Sequence, residues 1–92
     1  MFYLICYDII DDSRRLKISK VLESCAVRVQ KSVFEAVLDD KQCEELQKKL
    51  RKLLNVREDQ LRFYPISTRC RCQVKILGVQ PEFAVDDPAI IV

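Results

Sequence analysis

The chain has 92 residues, 49% of them hydrophobic and 33% charged, which suits one compact domain and leaves no room for a second catalytic one. It has no histidine and one glycine, Gly78, so histidine acid–base chemistry, imidazole-ligated zinc and glycine-rich phosphate loops are excluded. No apolar run reaches the ~18 residues of a membrane span, and Met1 to Asp8 lacks a basic start and a cleavage site, so a cytoplasmic protein without membrane attachment is expected.

Phe2 to Ile9 reads as a strand, rich in aromatic and β-branched residues. Both of its faces are apolar, because Phe2, Leu4 and Cys6 alternate with Tyr3, Ile5, Tyr7 and Ile9, as in a central strand covered on two sides. Asp8 is its one charge. Asp11-Asp12-Ser13 offers caps for a helix running to about Ser24, with Ile18, Val21, Leu22 and Cys25 as its apolar stripe. Period two then returns, with a short strand at Val27 to Gln30, a break at Lys31-Ser32 and a second strand from Ser32 to Leu38; one bulged strand is the competing reading.

Asp39 opens a second helix, and Gln42 at its third position completes a capping box. Cys43, Leu46, Leu50, Leu53 and Leu54 form its apolar face. Leu61 to Ile66 is a further strand, and Pro65 suits an edge or a strand end. Cys70, Cys72, Val74 and Ile76 alternate with Arg71, Gln73 and Lys75, predicting one more strand closed by Gly78. Beyond residue 78 a polar arm ends in apolar Ala89 to Val92, which is expected to be buried against a partner, for instance as an added strand. The five cysteines read as free thiols, and Cys6, Cys25 and Cys43 fall where the pattern asks for a buried apolar side chain.

The order β-α-β-β-α-β is the α+β, ferredoxin-like split arrangement, here with an extra C-terminal strand. Residues 1–78 would form the domain and 79–92 the arm. Two helices cover only one face of such a sheet. The apolar second face of the first strand therefore calls for a cover, and sheet-to-sheet homodimerisation is the economical one.

The formal charge of +2 hides a segregation along the chain. Asp8, Asp11 and Asp12 make the start acidic, and Arg14, Arg15, Lys17, Lys20, Arg28 and Lys31 form a basic block after it. A second block holds Arg62, Arg69, Arg71 and Lys75. Such blocks are either solvated faces or one surface for phosphate.

Asp8 can cap the following turn, pair with an arginine, or bind a metal. One carboxylate is a poor Mg²⁺ site, but a twofold axis near the ends of two first strands would bring both Asp8 carboxylates to one ion. That ion would activate water in a protein lacking histidine, and Arg15, Lys17 and Arg28 could position a phosphodiester.

Tyr7-Asp8-Ile9, the helix opening Asp11-Asp12-Ser13-Arg14-Arg15-Leu16-Lys17, the run Arg28-Val29-Gln30-Lys31-Ser32-Val33-Phe34-Glu35 and Leu61-Arg62-Phe63-Tyr64-Pro65-Ile66 together resemble the Cas-two family over residues 1 to about 78. This is the smaller core protein of CRISPR spacer acquisition. The resemblance implies a ferredoxin-like homodimer that binds Mg²⁺ between two copies of Asp8 and works beside the CRISPR integrase, the Cas-one type. It implies either a nuclease for single-stranded RNA or double-stranded DNA, or a non-catalytic DNA-binding bridge between integrase dimers. It places active-site or nucleic-acid-binding positions on Arg15, Lys17, Arg28 and Phe34. Lys17 stands where some members have arginine and lacks the bidentate fork. Phe34 would most simply pack in the core or at a dimer interface. A generic RNA-recognition module fits less well, since Ser32 to Val37 lacks the glycine and paired aromatics of an RNA-stacking strand.

Overall fold

The computed structural model describes residues 1–79. The chain runs β1 (Phe2–Asp8), α1 (Asp12–Glu23), β2 (Val27–Gln30), β3 (Val33–Val37), α2 (Asp40–Leu53), β4 (Gln60–Ile66) and a short α3 (Thr68–Arg71). The four strands form one sheet in the order β2-β3-β1-β4 with antiparallel neighbours, which is the ferredoxin-like order expected from the sequence. β1 is central and β4 is an edge, where Pro65 costs no ladder bond on its outer side. The break at Lys31-Ser32 is real: β2 and β3 are separate strands, and a register shift lies between Arg28 and Gln30 within β2.

Both long helices are capped as their sequences dictate. The Asp11 carboxylate accepts from the Arg14 backbone N–H at 2.8 Å. On α2 the capping box is complete, with Gln42 N–H donating to Asp39 at 2.7 Å and the Asp39 N–H donating to Gln42 Oε1 at 2.9 Å. The helices lie on one face of the sheet. There Ile5, Tyr7 and Ile9 of β1 and its extension pack with Phe34 and Ala36 of β3, Ile18 and Leu22 of α1, and Cys43, Leu46 and Leu50 of α2. Burying these side chains gains about 1.5–3 kcal/mol for each large aliphatic residue, so this layer carries most of the stability.

The other face carries Phe2, Leu4, Cys6 and Asp8 of β1, in register with Ile66, Tyr64, Arg62 and Gln60 of β4. Val37, Glu35 and Val33 of β3 flank the first three of these on the other side. No helix longer than α3 covers this face among the described residues.

Three expectations are corrected. Residues 70 to 76 do not form a strand. Ser67 accepts from the Cys70 N–H at 3.2 Å and starts α3, so a local cap prevails over an alternation that finds no partner strand among the described residues. Arg71, read as part of a polar face, is instead only 9% exposed, with its guanidinium 4.5 Å from the centre of the Phe2 ring. Cys25 is exposed, because α1 ends at Glu23 and the chain turns away one residue before the apolar stripe would bury it. Cys6 is half-buried and Cys43 buried. The arm, with Ala89 to Val92, lies outside the described residues.

Candidate nucleic-acid and metal site

Where β1 ends and α1 begins, a cleft of about 750 Å³ opens. Asp8, Asp12, Arg15, Arg28, Lys31 and Ser32 line its polar part, and Tyr7, Ile9, Leu16 and Ser19 the rest. Four elements meet here: the end of β1, the first two turns of α1, β2 and the β2–β3 turn. The sequence brings them together because the split arrangement pairs β3 with β1 and β2 with the far side of β3, so that the β2–β3 turn reaches the end of β1, where the Tyr7 N–H donates to the Ser32 carbonyl.

Asp8 is exposed, and among the described residues its carboxylate accepts no hydrogen bond. The capping reading is already filled by Asp11. Asp12 is held by the Arg15 guanidinium. Arg15 also donates to the Ile9 carbonyl at 2.8 Å and the Ile10 carbonyl at 3.4 Å, so it ties down the segment directly after Asp8. Arg28 donates to the Lys31 carbonyl at 2.6 Å and to Glu23 at 2.7 Å, and lies 4.8 Å from the Phe34 ring centre. The bond to Glu23 is the chief reason its guanidinium is held still more firmly protonated.

The structure thus gathers Asp8, Arg15 and Arg28 at one cleft. Lys17 is exposed on α1 and does not line it. Phe34 is 0% exposed, its ring stacked 6.1 Å from that of Tyr7, so it offers no surface to a base and serves as the floor beneath Arg28. Asp12, part of the acidic start, Lys31, part of the first basic block, and Ser32, at a strand start, line the cleft without having been singled out as site residues from the sequence. The signal for the last two was the break in the apolar parity, which marks a turn, and turns carry functional groups.

A second ion-pair system braces the cleft from outside. Arg14 donates from Nε to Asp59 at 2.8 Å and from a terminal nitrogen to Glu58 at 3.0 Å. The Asp59 side chain is 0% exposed and also accepts from the Asn55 N–H at 2.9 Å. Arg14 holds the Asp59 carboxyl below the usual carboxylate range, and the Asn55 bond adds to this. Asp59 precedes Gln60, the register partner of Asp8.

Fold and cleft define a small ferredoxin-like α+β protein with one uncommitted carboxylate among cations. The chain belongs to the CRISPR associated protein Cas2 family, whose profile matches residues 1–74. It is 51% identical over 79 residues, 86% of either chain, to CRISPR-associated endoribonuclease Cas2 3 of Synechocystis sp.. Its fold is similar to that of a hypothetical protein from Thermus thermophilus, with a TM-score of 0.78 and 45% identity over 87% of this chain and 93% of that one. It is also similar to a chain of a partial Cas6-RT-Cas1–Cas2 complex, with a TM-score of 0.76, 28% identity and 94% of both chains covered.

Proposed function

We propose that this Cas2-family protein is a Mg²⁺-dependent endonuclease of CRISPR spacer acquisition, cutting phosphodiester bonds in single-stranded RNA or double-stranded DNA, with Asp8 from two copies sharing the ion. The observation that carries this reading is the Asp8 carboxylate, which is exposed at the cleft and neither caps α1 nor pairs with either cleft arginine. The name of the Synechocystis relative, an endoribonuclease, supports the nuclease part of this reading.

The donor chemistry sets the requirement for two copies. Among the described residues no three metal-ligating side chains cluster, and Asp12 is taken by Arg15. One chain supplies a single hard oxygen donor group, and a copy across the open sheet face supplies a second of the same kind. Once bound, Mg²⁺ would provide Lewis-acid polarisation of the phosphate and a more acidic water. The chain's own residues set the frame. Arg15 fixes the Ile9 and Ile10 carbonyls so that the chain leaves Asp8 in one direction, and Arg28, on its Phe34 floor, holds the β2–β3 turn at the cleft mouth.

Labelled RNA and duplex DNA incubated with wild type and Asp8→Asn, in Mg²⁺ or in EDTA, test this. Cleavage by wild type in Mg²⁺ alone is expected. Equal cleavage by Asp8→Asn would refute the assignment.

A second reading is favoured by the likeness to a chain of a complex containing Cas1. Here the protein is a DNA-binding adaptor for the CRISPR integrase, and the cations grip phosphate while the chemistry happens elsewhere. It predicts salt-sensitive duplex binding that survives Asp8→Asn.

A further inference from the structure

The two cleft arginines spend much of their donor capacity on the protein itself. Arg15 is turned to two carbonyls and Asp12, and Arg28 to the Lys31 carbonyl, Glu23 and the face of Phe34. A phosphate arriving at either would compete with contacts already made.

Lys31 is differently placed. Its side chain is exposed and lines the same cleft as Asp8, and among the described residues its ammonium has no hydrogen-bond or ion-pair partner. Its backbone, by contrast, is pinned. The Lys31 carbonyl accepts from the Tyr7 hydroxyl at 3.2 Å and from Arg28 at 2.6 Å, and the Tyr7 N–H donates to the Ser32 carbonyl at 3.1 Å. Tyr7 is the residue before Asp8. The β2–β3 turn is therefore fastened to the segment that presents the carboxylate, and Lys31 extends its charge from a fixed base.

We propose that Lys31, extended from a turn whose carbonyl Tyr7 and Arg28 hold by hydrogen bonds, is the cation that contacts the phosphodiester backbone in the Asp8 cleft. This rests on the reading of the cleft as a nucleic-acid site. It reassigns the direct phosphate contact from the arginines to a lysine, whose three donors on a flexible stem accept a phosphate in many orientations. Because the fold uses only the Lys31 backbone, replacing the side chain isolates the charge from the scaffold.

The test is binding of fluorescein-labelled single-stranded RNA and of duplex DNA, in Mg²⁺ and over a range of NaCl concentrations, with every variant built on Asp8→Asn to prevent cutting. Lys31→Ala should weaken binding roughly fivefold or more and reduce the steepness of the log–log salt dependence, by about 0.9 for duplex or 0.7 for single strands for each phosphate no longer neutralised. Lys31→Arg should keep the affinity and the slope. Lys20→Ala, which removes an exposed cation of α1 that does not line the cleft, should change neither. Salt-sensitive binding by the parent that is altered no more by Lys31→Ala than by Lys20→Ala would overturn the role of Lys31 while leaving the cleft reading intact. A Lys31→Arg loss as large as that of Lys31→Ala would also overturn it. A parent that binds neither nucleic acid would overturn the cleft reading itself, and the role of Lys31 with it.

Discussion

Arg14 and Asp59 join the first turn of α1 to the residue before β4, and so brace both sides of the β1 end from a distance. Because the Asp59 carboxyl titrates lower in the folded chain than in the unfolded one, its contribution is complete above the ordinary carboxylate range near pH 4 and is lost as pH falls through the folded value. Urea unfolding should therefore show a smaller loss of stability from pH 6 to pH 3 for Asp59→Asn than for wild type. Glu35 has the opposite sign. Burial on the sheet raises its pKa and the nearby Arg71 partly offsets this, so its ionisation in the folded chain costs stability as pH rises from about 4 through the raised value. Glu35→Gln should gain more stability over wild type at pH 7 than at pH 4 in the same measurement. Of the cleft, Asp8, Arg15 and Arg28 were legible from charge type and position. The Arg14–Asp59 contact was not, because the two lie 45 residues apart and no local pattern links them. That Phe34 packs was the simplest reading of a strand aromatic and holds, whereas its place as the floor beneath Arg28 had no local signal.

At the scale of elements, α2 shows local and tertiary signals in agreement. Its capping box and apolar stripe could both be read from the sequence, and the structure has Asp39 and Gln42 bonded reciprocally with Cys43, Leu46 and Leu50 buried. Asp39→Ala should cost about 1 kcal/mol and Leu50→Ala about 2–5 kcal/mol in chemical denaturation, the larger loss reflecting a cavity in the layer between α2 and the sheet. The segment after β4 shows the signals in conflict. The alternation at Cys70, Cys72, Val74 and Ile76 asks for a strand, while Ser67 offers a cap, and a strand needs a neighbour whereas a cap needs only the next three residues. The helix that results sends Arg71 back over Phe2, a long-range contact with no signature in the local sequence.

At the scale of the molecule, α1 and α2 cover one face of the sheet, and among the described residues the other presents Leu4, Val33, Val37 and Tyr64. A second copy laid on this face would bury them and bring the two β1 ends together. Leu4→Glu would place a charge among those apolar side chains, and sedimentation equilibrium should then give one 10.8 kDa chain in place of a pair. The central claim is that one Mg²⁺ is shared by two Asp8 carboxylates, and isothermal titration of Mg²⁺ into the protein tests it most directly. One ion for every two chains, absent in Asp8→Asn, is the predicted result. One ion per chain, or binding that persists in Asp8→Asn, would contradict it.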